Sequence, residues 1–63
     1  MNQTAKLDYL INYLLAENPA YRSVAVPDGE GEKRRLLRSL MNLRPPVEIS
    51  GEFLAVQDDY LRA

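Results

Sequence analysis

The sequence predicts an all-α fold, a small bundle of about three short helices with a Pro-containing elbow. Apolar residues recur at helical spacing in separate stretches of the chain. Those stretches are punctuated by Asn-Pro, Asp-Gly, Pro-Pro and Ser-Gly, the residue types that stop, turn and cap helices. The length of 63 residues allows one domain at most. Such a domain buries only ~60% of the surface its unfolded chain exposes, so close helix packing or a partner must support it.

The first helix is expected at about residues 4–17. Leu7, Leu10, Ile11 and Leu14 fall on one face, Tyr9 and Tyr13 on a neighbouring one, and Leu15 widens the stripe. Asn18-Pro19 ends it, because proline disfavours helical geometry in the residue before it and offers no N–H. Residues 20–27 read as a connection, with Val24-Ala25-Val26 extended and Pro27-Asp28-Gly29 as turn chemistry.

The second helix is expected at about residues 30–42. Asp28 is its candidate cap, and Glu30 and Glu32 suit the positive end of its dipole. Gly29 and Gly31 weaken its first turn. Leu36, Leu37, Leu40, Met41 and Leu43 supply an apolar face, with Lys33, Arg34, Arg35 and Arg38 towards the other side. Arg44-Pro45-Pro46 stops the helix and forms the elbow. The third helix is expected at about residues 51–62, capped by Ser50, with Glu52 in its first turn. Phe53, Leu54, Tyr60 and Leu61 recur at helical spacing, with Val56 nearby. No Gly, Asn or Pro follows to stop this helix, which is the pattern expected of a parent chain that continues. The expected core is Leu7, Leu10, Ile11, Leu14, Leu36, Leu37, Leu40, Phe53, Leu54 and Leu61.

Composition bears on function mainly by exclusion. There is no Cys and no His, which rules out disulfides, Cys/His zinc sites, and Ser-His or Cys-His nucleophilic pairs. The absence of Cys suits a reducing, cytoplasmic setting. Eight basic residues against 9 acidic ones give a net charge of −1, which argues against a nucleic-acid partner. The apolar run from Tyr9 to Ala16 is far short of the ~20 residues that span a bilayer, so no membrane role is expected. Asn2-Gln3-Thr4 matches the glycosylation pattern but has no signal peptide before it, and reads as chance.

Several clusters were candidates for chemistry. Lys33-Arg34-Arg35 with Arg38 could grip phosphate, but such a run more often forms a solvated face or docks on an acidic neighbour, with Glu30 four residues before Arg34 neutralising part of it. Asp58-Asp59 are adjacent on a helix and therefore point apart, which is poor geometry for one metal ion. The tyrosines Tyr9, Tyr13, Tyr21 and Tyr60 suit a half-buried seam better than a stacking platform. Gly29-Glu30-Gly31 lacks the strand and third glycine of a phosphate loop. Three short helices are expected to offer no cleft for a sugar.

Taken as an ordered string, the chain resembles a known family. The string is Leu7-Asp8-Tyr9-Leu10-Ile11-Asn12-Tyr13-Leu14-Leu15-Ala16-Glu17-Asn18-Pro19, then Glu32-Lys33-Arg34-Arg35-Leu36-Leu37-Arg38-Ser39-Leu40-Met41-Asn42. Arg44-Pro45-Pro46, Ile49-Ser50, Glu52-Phe53-Leu54, Gln57-Asp58 and Tyr60-Leu61 follow. It resembles the N-terminal helical region of bacterial zinc-dependent macrodomain protein-ADP-ribose hydrolases, the Appr-1″-p processing family. Gly29, Gly31 and Gly51 stand where the resemblance implies acidic or other helix-favouring residues.

The resemblance implies a non-catalytic module with no cofactor of its own. The glycine-rich ADP-ribose loops and the Cys/His zinc ligands belong to the macrodomain of such a parent, so no catalytic or metal-binding residue is assigned in this chain. The implied partners are the macrodomain of the same polypeptide and the ADP-ribosylated protein substrate. The candidate docking surface is drawn from Tyr9, Tyr13, Arg34, Arg35, Arg38 and Arg44. The alternative is a free-standing helical protein–protein interaction module, self-associating or not.

Overall fold

A computed structural model describes residues 2–21, 23–43 and 48–62, with the side chain of Leu43 left aside. Among them the helices are α1 (Gln3–Glu17), α2 (Glu30–Leu43) and α3 (Gly51–Arg62), with a short 3-10 turn over Pro19–Tyr21. The predicted fold class and helix positions therefore hold. The Pro-containing elbow at Pro45-Pro46 lies outside the described residues.

α1 is the centre of the bundle. It buries Leu7, Leu10, Ile11 and Leu14 and packs against both α2 and α3, which make no close backbone approach to each other. α2 adds Leu37 and Leu40 to this core, and α3 adds Phe53. The Gln3 side-chain amide donates to the Tyr60 carbonyl at 3.2 Å, and Tyr13 meets Ser50 at the other end, so α1 and α3 run in opposite directions.

Two expected core residues lie elsewhere. Leu54 is 54% exposed and Leu61 65% exposed. Each helical residue turns about 100° from the one before. α3 faces α1 through Phe53, Val56 and Tyr60, so Leu54 and Leu61 are rotated onto its flank. Leu36 is half-buried against the core's edge rather than within it.

The helix ends follow local chemistry. The Asn2 side chain accepts from the Ala5 N–H at 2.7 Å, so the residue that opened a chance glycosylation pattern is the N-cap of α1. Asn18 adopts extended geometry before Pro19, and its buried side chain accepts from the Ala20 N–H at 3.0 Å. That 3-10 turn carries Tyr21 back onto the core, and two of its residues fall in the stretch expected as connection. At α2 the cap position falls to Gly29 rather than Asp28, since the Lys33 N–H reaches the Gly29 carbonyl at 2.9 Å. Ser50 caps α3 as expected, its hydroxyl accepting from the Phe53 N–H at 3.1 Å.

Candidate functional site

The predicted docking residues separate into two places. Tyr9 and Tyr13 are half-buried on α1, with ring centroids 6.2 Å apart. The Tyr13 ring packs on Phe53 at 4.8 Å. Its hydroxyl donates to the Glu48 carbonyl at 2.7 Å and accepts from the Ser50 N–H at 3.0 Å. Tyr13 thus fastens the start of α3 to α1 and spends its polar group inside the fold.

The arginines lie on α2. Arg34, Arg35 and Arg38 are all exposed, and none forms an ion pair among the described residues. The expected Glu30–Arg34 pair is not made. Instead Lys33, expected on the solvent side, turns inward and meets Asp8 of α1 at 2.8 Å, its side chain only 15% exposed. A long lysine stem covers apolar surface well, and a carboxylate on the neighbouring helix gives its charge a partner. Arg44 lies outside the described residues.

Sequence reasoning missed a groove. Because α2 and α3 each lean on α1 and not on each other, an open channel of about 320 Å³ remains between them. Leu37 and Met41 of α2 and Tyr60 and Leu61 of α3 supply its apolar lining. Arg34 and Arg38, one turn apart, stand along it with Asn42. Arg35 is not part of it. The groove is an open channel, and the expectation that three short helices offer no cleft to hold a sugar is not tested by it. The signal in the sequence was a surplus: α3 carries more apolar residues than one contact face can use.

Among the described residues its lining holds no carboxylate and no imidazole, and its one hydroxyl is the phenol of Tyr60. Among the described residues, no group of three or more His, Cys, Asp and Glu is placed to hold a metal ion. None of the described helices is long and apolar enough to cross a membrane.

Comparison with known proteins gives one consistent name. A protein-ADP-ribose hydrolase of Treponema medium is 55% identical over 62 residues, covering 98% of this chain and 24% of its own length. Protein-ADP-ribose hydrolases of Staphylococcus aureus are 39% identical over 57 residues, 90% of this chain and 21% of their own. The chain therefore spans about a quarter of the length of the curated relatives it matches. No family model and no solved structure matches it.

Proposed function

We propose that this chain is the non-catalytic, N-terminal helical part of a longer bacterial, cytoplasmic protein-ADP-ribose hydrolase. In this reading it docks on a catalytic macrodomain or helps place the ADP-ribosylated protein. The observation that carries it is 55% identity across nearly the whole chain to a protein so named, of which the matched part is 24%. A segment that is a minor share of a hydrolase, and that lacks Cys and His, is suited to binding rather than to chemistry.

Zinc belongs to this proposal only through the rest of the parent. This chain's residues do not fit it, since zinc takes about four ligands, mostly Cys and His, and the chain has neither. No step of the hydrolysis is assigned here.

The test is to compare hydrogen exchange of residues 1–63 alone and within the longer polypeptide, and to assay both for release of ADP-ribose from a modified protein. The proposal expects slower exchange over part of the module in the longer chain, and release by the longer chain only. Equal exchange together with unaltered release after deletion of the module would refute it. The exposed Leu54 and Leu61 also suit the free-standing interaction module. A reading frame with no hydrolase portion would favour that alternative.

A further inference from the structure

We propose that the groove between α2 and α3 binds an acidic amphipathic helix of a partner protein segment, one that inserts leucine or phenylalanine side chains between flanking carboxylates. This goes beyond the proposed function and can fail separately from it.

The apolar requirement comes from the lining. Leu37, Met41, Tyr60 and Leu61 come together along the groove, and Leu61 is 65% exposed although it sits beside a half-buried tyrosine. An apolar channel bounded by two helices is the shape into which a third amphipathic helix lays its apolar face. Methionine adds an adaptable wall for such a side chain.

The charge requirement comes from Arg34 and Arg38. They stand on the same face of α2, along the groove, with no carboxylate partner among the described residues. Two carboxylates are engaged elsewhere: Asp8 holds Lys33, and Asp58 holds Arg62 at 3.0 Å. A basic or neutral helix would leave two guanidinium groups facing like charge or nothing. Glutamates or aspartates along its edge would meet them, and guanidinium pairs carboxylate in fork geometry. A cationic rim over an apolar floor therefore selects sign as well as shape.

The test uses the 63-residue chain and a designed helical peptide with leucines on one face and glutamates along its edges. A second peptide carries lysines in place of the glutamates, and inorganic pyrophosphate serves as a bare-anion control. Binding is followed by NMR. The glutamate peptide is expected to saturate, shifting the resonances of Leu37, Met41, Tyr60 and Leu61. The double variant Arg34→Glu/Arg38→Glu should bind it about tenfold more weakly or worse and should gain affinity for the lysine peptide, a reversal that unfolding cannot mimic. An unchanged helical circular dichroism signal controls for the fold. The proposal is overturned if the glutamate peptide does not saturate, if the shifts fall outside the groove, or if both peptides bind alike. It is also overturned if pyrophosphate competes fully, which would make this an anion site. Concentration-dependent shifts at these residues in the chain alone would mean that a second copy fills the groove, and would overturn it too. Docking in the longer polypeptide with the groove still exchanging freely would leave the proposed function standing.

Discussion

The hydroxyl of Tyr13 accepts the backbone N–H of Ser50 at 3.0 Å, immediately before Ser50 caps α3 with its own hydroxyl. The same phenol donates to the Glu48 carbonyl at 2.7 Å. One side chain of α1 thereby holds two backbone polar groups of the segment that leads into α3. Tyr13→Phe keeps the ring on Phe53 and removes only these bonds. It should cost about 1 kcal/mol, the net worth of partly exposed hydrogen bonds. In a domain of this size that lowers Tm by roughly 4–8 °C. A thermal melt followed by circular dichroism measures it. An unchanged Tm would mean that solvent replaces the phenol without loss.

Burial separates leucines that look alike in the sequence. Leu40 is buried with Leu37 and the α1 face, whereas Leu54 is 54% exposed. Leu40→Ala should cost ~2–5 kcal/mol. A small single core rarely supplies more than ~3–5 kcal/mol in total, so this variant should be largely unfolded. Leu54→Ala should stay within about 0.5 kcal/mol. Similar denaturation midpoints for the two variants would show that the contact face of the bundle is misassigned.

How much of this was legible in the sequence depends on the range of the forces involved. Helix limits are set by neighbours in the chain: Pro19 ends α1 at Glu17, and Ser50 starts α3 at Gly51. The α1 face was equally plain because Leu7, Leu10, Ile11 and Leu14 fit one stripe and no other. Which helix meets which is not carried by local spacing. α2 and α3 both resemble core helices in isolation, and only their shared reliance on α1 strands Leu54 and Leu61 outside. The same geometry opens the groove that spacing could not reveal, and turns Lys33 inward to Asp8 while Arg34 and Arg38 stay exposed.

The Lys33–Asp8 pair links α1 to α2 at 2.8 Å, with side chains 15% and 40% exposed. Asp58–Arg62 is a local pair on α3 with both partners well exposed. Exposed pairs contribute little, because water and salt screen them, whereas removing the partner of a covered charge leaves that charge poorly solvated. Asp8→Asn should therefore destabilise by about 1 kcal/mol, and Asp58→Asn by no more than about 0.5 kcal/mol. Raising salt to ~1 M, where the Debye length is ~3 Å, should shrink the smaller effect more than the larger. Urea titrations of the two variants at low and high salt make the comparison, and equal losses would place both pairs at the surface.

Gly31 offers the opposite direction. It sits in the first turn of α2, and a Cβ built there would meet no atom within 4 Å beyond the helix's own neighbouring backbone. Glycine in a helix loses more backbone freedom on folding than alanine does. Gly31→Ala should stabilise the domain by roughly 0.4–1 kcal/mol by restricting the unfolded chain. A drop in Tm for Gly31→Ala would show that the first turn of α2 is not helical in solution.

The last expectation concerns zinc and ADP-ribose. The chain has no Cys or His, and no trio of carboxylates converges among the described residues. Zinc titrated into the isolated chain should leave its thermal midpoint unmoved, because a ligand that binds only the native state raises that midpoint by mass action. A chelator should likewise leave it unmoved. ADP-ribose differs only in its diphosphate, which Arg34 and Arg38 can attract at low salt. Both guanidinium groups are exposed, so this contact should weaken steeply as the Debye length falls to ~8 Å at physiological ionic strength. Incubating the isolated chain with an ADP-ribosylated protein should release no ADP-ribose, since among the described residues the groove offers the Tyr60 phenol but no pair of carboxylates for a glycosidic bond. Saturable ADP-ribose binding that survives physiological salt, a zinc-dependent rise in the midpoint, or release above a boiled control would each show that this surface assembles chemistry its residue types do not reveal.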